Sequence, residues 1–268
     1  MSHGRKTPGS RSTSGLPAAY FELAFDKDKV VLSVRNTPFA QEPAVAVVEA
    51  LFIGELAPLG PRQVPSGIDK KPVCGQIAIT ATGLQGDNQG DTRHHGGPEK
   101  AVHHYPADHY AAWSEDGIVA NAPAFGENIT TLGLSEANVC IGDVYRFGSA
   151  LLQVSQGRQP CWRLNARFDR SDMALRVQKS GRTGWYYRVL EEGHAAAGDS
   201  LVLLERPQPC WSLERIIELL YTRTMDLDSL RDLTSLPELA SSWCELAERR
   251  IASRKVEDWN RRLHDSQS

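Results

Sequence analysis

Arg158-Gln159-Pro160-Cys161-Trp162 closes the strand-like run Leu151–Gln156 and sets one arginine-flanked thiol at a rigid strand end. A cysteine so placed is a candidate nucleophile or soft-metal ligand. Its thiolate is the reactive form, and Arg158 and Arg163 would both favour that form and attract an anionic ligand. The plain alternative is a small core residue. A second stretch upstream shifts the balance toward chemistry, because Gly83-Leu84-Gln85-Gly86-Asp87 and Arg93-His94-His95-Gly96-Gly97-Pro98 are polar and conformationally special where a core would be apolar. Paired glycines let a ligand approach the backbone and hold the His95 imidazole at a loop apex, and Asp87 or Asp91 can orient such a ring. The same residues also suit ordinary turns.

Three further segments carry polar groups worth placing. Ser66-Gly67-Ile68-Asp69-Lys70-Lys71-Pro72-Val73 combines a hydroxyl, free backbone N–H groups and an ammonium, which makes either a phosphate cradle or a solvated turn. In Phe125-Gly126-Glu127-Asn128, Asn128 offers a donor and an acceptor to a heteroaromatic edge. Gly184-Trp185-Tyr186-Tyr187-Arg188-Val189 reads as a buried aromatic strand with a snorkelling arginine. His94, His95, His103, His104 and His109 invite a zinc reading, yet there is no H-E-x-x-H, and His103 and His104 would face opposite sides of an extended strand. His94 and His103 are expected at the surface.

The elements that position these residues follow from the pattern of the whole chain. At 268 residues it can bury a substantial core, and a net charge of −3 argues against a protein that binds nucleic acid over its whole surface. Five cysteines, an odd number without CxxC spacing, indicate neither a disulfide framework nor a four-cysteine zinc site, and fit a reducing compartment. No long apolar run or signal-peptide core is present, so a cytoplasmic protein without membrane insertion is expected. Residues 1–15 have the composition of a disordered leader, and 16–43 form an extension whose structure the pattern leaves open. From residue 44 to 206, strand-like runs (Val45–Phe52, Gly75–Ala81, Asn138–Cys140, Val144–Phe147, Leu151–Ser155, Leu201–Leu204) alternate with Gly, Pro and Asp. That spacing predicts a mainly β (α+β) domain, a β-barrel or sandwich with helical insertions. Pro106–Asp116 reads as one such helix, with Pro106 near its first turn. Beyond Pro207 and Pro209, Ser212 can cap a helix burying Leu213, Ile216, Ile217 and Leu220. Leu227, Leu230 and Leu233 mark a second helix, and Leu236, Leu239, Trp243 and Leu246 a third. Residues 212–262 are thus a small C-terminal three-helix domain.

Taken in order, SGIxKxPV at 66–73, GLxGD at 83–87, RxHGGP at 93–98, HYP at 104–106, FGEN at 125–128, SQxRxPC at 155–161 and GWYYRV at 184–189 resemble the YiiM-type group of MOSC-domain proteins. The resemblance runs from about residue 44 to 263. It extends to the C-terminal domains of molybdenum cofactor sulfurases and to the mitochondrial amidoxime-reducing component. It implies a MOSC-type β-barrel holding molybdopterin-bound molybdenum, with Cys161 as the thiolate ligand to the metal. By position, Ser66, Lys70, Arg93, His95, Asn128 and Arg158 would line the pterin and phosphate site, and His95 or Asp87 would supply a proton. The implied activity is reduction of N-hydroxylated compounds, hydroxylaminopurines and amidoximes among them, to amines. Electrons would come from a separate reductase, since the chain carries no flavin, dinucleotide or iron–sulfur motif. A homodimer is one arrangement compatible with this. The alternative reading is a carrier of molybdenum cofactor or sulfur that uses Cys161 as the acceptor.

Overall fold

The computed structural model describes Met1 and residues 24–26, 29–31, 45–92 and 95–264. The chain divides into two units, Met1–Glu42 and Pro43–Ser268. In the first, Ala24–Asp26 pairs antiparallel with Lys29–Val31. The leader expected at 1–15 (apart from Met1), most of the extension at 16–43, and the candidates Arg93 and His94 lie outside the described residues.

The second unit is built on a closed barrel of seven strands: β1 (Val45–Ile53), β2 (Val102–His104), β3 (Ile129–Thr131), β4 (Val144–Phe147), β5 (Ala150–Gly157), β6 (Trp185–Glu191) and β7 (Ser200–Glu205). Their order is β3-β2-β6-β5-β4-β7-β1, and β1 pairs with β3 to close the ring. The architecture is mixed α and β, mainly β. Alternation sets the inside at the start of β1: Ala46 and Val48 are buried, while Val45 and Val47 face outward. β4 and β5 form the expected hairpin, Val144 opposite Gln153 and Phe147 opposite Ala150, turning at Gly148-Ser149 with Gly148 at φ 56°.

Seven is an odd number, and that has a topological consequence. Strand directions cannot alternate all the way round an odd ring, so one neighbouring pair must run parallel. That pair is β2–β3, with Ile129 opposite His104. Parallel neighbours need a crossover rather than a tight turn. Here it is residues 105–128, which carry helix α1 (Asp108–Glu115) and return through Phe125-Gly126-Glu127-Asn128. The crossover packs a second core of Tyr105, Trp113, Phe125, Leu164, Met173 and Leu263, separate from the barrel core.

Two helices that the sequence pattern did not predict follow the cysteine: α2 (Arg163–Phe168) and α3 (Met173–Ser180). After the barrel come α4 (Leu213–Tyr221), α5 (Leu227–Thr234), α6 (Ser241–Ser253) and the short α7 (Asn260–Leu263). Ser212 caps α4 by accepting from Arg215 N, and Leu213, Ile216, Ile217 and Leu220 are buried. Three local expectations are corrected. Leu236 and Leu239 precede α6 instead of lying on it, since Pro237 disfavours helix at the residue before it. Pro106 stands two residues ahead of α1. Asn138–Cys140 is not a strand, because the Asn138 side chain folds back onto Ser135 N and Gly133 O, leaving Cys140 only an isolated bridge to Ser212. No helix among the described residues is long and apolar enough to cross a membrane.

Candidate active site at Cys161

Strand β5 ends at Gly157, and the chain then turns inward through Arg158 to Cys161 before α2 begins. The thiol is 9% exposed. Burial works to raise its pKa, but the His95 contact and charge, the Arg158 charge and the Arg163 backbone N–H outweigh burial and bring it down to about 6. Cys161 Sγ lies 3.8 Å from His95 Nε2, and Arg163 Nη1 lies 3.2 Å from the same nitrogen. These two contacts are alternatives: a bare Nε2 accepts from the guanidinium, whereas a protonated Nε2 donates to the sulfur. A proton moving onto or off His95 therefore exchanges one partner for the other.

A cavity opens beside the sulfur, and the expected candidates Ser66, Lys70, Asp87, His95, Asn128 and Arg158 all line it. Arg93 lies outside the described residues. The wall is held by backbone packed on backbone: a Cβ on Gly67 would come within 1.8 Å of Asn88 O, so only glycine lets the two loops meet. Ser66 is buried, and its hydroxyl accepts from Ile68 N. Lys70 is buried against Asp87; burial lowers its pKa and the carboxylate partly restores it. Asp87 accepts from Gly54 N at 2.7 Å, Asn128 Nδ2 at 3.0 Å, Gln89 Nε2 at 3.1 Å, and Lys70 Nζ. Four donors on two oxygens make it an anchor for the loops. Asn128 is the keystone of the barrel seam. Its N donates to His103 O, its Oδ1 accepts from His103 N, and its Nδ2 donates to Phe52 O on β1.

The histidines are dispersed, and no group of three or more His, Cys, Asp or Glu among the described residues could hold a metal. His104 is a core residue between Tyr187 OH and Thr131 Oγ1, brought down to about 3 mainly by burial. His109 pairs with Glu136 at 2.7 Å. The expectation that His103 is a surface residue is overturned: it is 4% exposed and lines the cavity. Its location is set by pairing with Asn128, far away in sequence, so no local signal exists. Lys100 and Tyr186 are also cavity residues: the first lies outside the motifs, and the second was expected only as part of the buried aromatic strand of GWYYRV. For Lys100 a signal was present, since it follows Gly96-Gly97-Pro98 by two residues; burial lowers its pKa, opposed by Glu99 and Cys161. Outside Cys161 a larger groove of about 880 Å³ is walled on its far side by Ser242, Glu245, Arg249, Trp259 and Arg262 of the C-terminal helices.

Residues 91–202 match the MOSC domain, and residues 211–254 match the YiiM-like, 3-alpha helix domain. Over 207 residues the chain is 41% identical to Protein YiiM of Escherichia coli (strain K12), covering 76% of this chain and 92% of that protein. The chain belongs to the MOSC family. The crystal structure of YiiM from Escherichia coli superposes with a TM-score of 0.67 at 37% identity, covering 78% of this chain and 99% of that one. A protein named Reductase from Gibberella moniliformis (strain M3125 / FGSC 7600) is 38% identical over 196 residues, which is 71% of this chain and 35% of that protein. MOSC domains are associated with molybdenum cofactor binding.

The cavity fits such a group on three counts. A thiolate that belongs to no cluster of three or more metal-ligating side chains among the described residues suits a metal that brings its other donors with it, as a dithiolene-bound metal does. Lys70, Lys100, Arg158 and Arg163 suit an anionic cofactor. Arg158 Nη1 and His103 Nε2 are buried polar atoms without a partner among the described residues.

Proposed function

We propose that the protein is an oxidoreductase that reduces N-hydroxylated compounds to amines with a molybdenum cofactor held at Cys161. The observation that carries this reading is a single low-pKa thiolate on the wall of a cation-lined cavity, with an imidazole 3.8 Å from the sulfur. Family membership and the reductase-named relative support it. Cys161 would ligate the metal, while Lys70, Lys100 and Arg158 would hold the anionic pterin and its phosphate. When bound, the cofactor supplies two-electron oxygen-atom chemistry.

Overall, R–NH–OH takes up two electrons and two protons and leaves as R–NH2 and water. Within the chain, His95 holds a proton at Nε2 next to the reacting centre, and Arg163 takes over the bare nitrogen once that proton has gone. Asp87, with four donors on its oxygens, positions Lys70 and Asn128 and is the poorer proton source of the two. Electrons would come from a separate reductase. The match spans 35% of the fungal protein named Reductase.

The test is metal and pterin analysis of protein from a molybdate-supplied, cofactor-competent host, followed by assay on N-hydroxylated bases with an artificial electron donor. Near-stoichiometric molybdenum and multiple turnover are expected, both lost in Cys161→Ser. Stoichiometric cofactor or sulfur transfer without turnover would instead establish the carrier reading.

A further inference from the structure

His103 has no place in the chemistry above, although it is a buried histidine that lines the same cavity. Its ring is fixed from several sides. Nδ1 lies 3.1 Å from Gly126 O, and a carbonyl can only accept, so Nδ1 carries the hydrogen. Tyr186 lies against the ring face at a centroid distance of 4.9 Å and 32°, and Tyr105 meets it edge-on at 6.5 Å. The backbone on both sides is tied to Asn128. Burial first, then the facing cations Arg158 and Lys70, hold its pKa well below the ordinary histidine value, so the ring is neutral. A neutral ring with Nδ1–H presents Nε2 as a bare acceptor.

That acceptor is buried and has no partner among the described residues, and the same holds for the donor Arg158 Nη1 on the same cavity. Buried polar groups are almost always satisfied, so a bare donor and a bare acceptor sharing one cavity call for a ligand with both complements. The cavity is otherwise rich in cations, which attract anions but cannot receive an N–H. We propose that His103 Nε2 accepts a ring N–H of the bound heterocycle while Arg158 Nη1 donates to its neighbouring oxygen, so that the pair recognises an amide-like N–H/C=O edge. Given the function proposed above, that edge belongs to the pterin of the cofactor.

Asparagine and glutamine separate the two nitrogens of the ring. His103→Asn puts an amide where Nδ1 stands, still serving Gly126 O, and leaves nothing at Nε2. His103→Gln reaches the Nε2 position with an oxygen that can accept. With full-length loaded protein, pterin content and the half-time of pterin loss on dilution are the readouts. His103→Asn should release pterin about tenfold faster, the worth of one hydrogen bond, and His103→Gln should stay within about threefold of the native protein. In imidazole ¹⁵N spectra, with His103 assigned from the variant, Nδ1 should be protonated and Nε2 bare before loading, with Nε2 shifting on loading. A protonated Nε2, or equal retention in His103→Asn with pterin present in the native protein, overturns the role of His103. A native protein that carries no pterin overturns the proposed function itself.

Discussion

Cys161 was legible from its flanking arginines and strand end, but its reactivity is set by groups that no local pattern brings together. His95 lies 66 positions away, yet its Nε2 stands 3.8 Å from the sulfur. With a pKa near 6, Cys161 is mostly thiolate at neutral pH, whereas an ordinary thiol is mostly protonated. In a background with Cys74, Cys210 and Cys244 replaced by serine, alkylation of unloaded protein should rise through pH 6 and level off above about 7. A rate that keeps climbing toward pH 9 would show that the imidazole and guanidinium do not act on the sulfur. Glu127 offers a second test at this scale. Its carboxyl is raised to about 7, chiefly by burial and against the hydrogen bonds from Tyr110 O–H and Phe125 N–H. The unfolded group titrates near 4.5, so between these values the folded chain holds a proton that the unfolded chain has released. Its stabilising contribution is complete below pH 4.5 and declines as pH rises through 7, by at most about 3 kcal/mol. Urea unfolding at pH 5 and 7.5 should show a decline that Glu127→Gln flattens.

At the scale of elements, what could be read in the sequence was what local chemistry decides. The β4–β5 hairpin follows from alternation and a glycine turn, and α4 from Ser212 followed by apolar residues at helical spacing. Replacing Ser212 with alanine should cost about 1 kcal/mol in chemical denaturation, the usual worth of an N-cap. What escaped reading was decided at a distance. β2 and β3 are three residues each and become strands only because the ring must close through them. α2 lacks an N-cap side chain and has Leu164 as its one buried residue, so periodicity could not mark it; it is held instead by the second core and by Asn165, which donates to Leu263 O at 2.8 Å. The close approach at Gly67 is equally invisible to pattern. Gly67→Ala should lower the melting temperature and weaken pterin retention together, since the Asn88 backbone, one residue from Asp87, must move to admit a methyl group.

Over the whole molecule, the C-terminal helices grip both loops of the site. Glu99, next to Lys100, accepts from Ser241 N and Oγ and so caps α6, whose own Ala240 has no side chain to do so. Arg262 O accepts from Trp162 N at 2.8 Å, and the Arg262 guanidinium donates to Pro160 O, which brackets the cysteine. Arg262→Ala should accelerate alkylation of Cys161 in unloaded protein severalfold, by exposing the loop, with only a modest loss of global stability. An unchanged rate would show that the helices merely adjoin the site.

The odd ring of strands also has a consequence in time. Asn128 joins β1 to β2 through Phe52, 76 positions before it, and His103, 25 before it, so the cavity exists only once the ends of the sheet have met. Contacts of such span are late and slow events in folding. A nascent chain thus offers no half-made pocket to a ligand, and binding in the cavity requires that the ring has closed. Ligand that binds only the closed state also holds it closed, so occupancy and unfolding should be linked, with a melting temperature that climbs as the free concentration of the proposed cofactor increases.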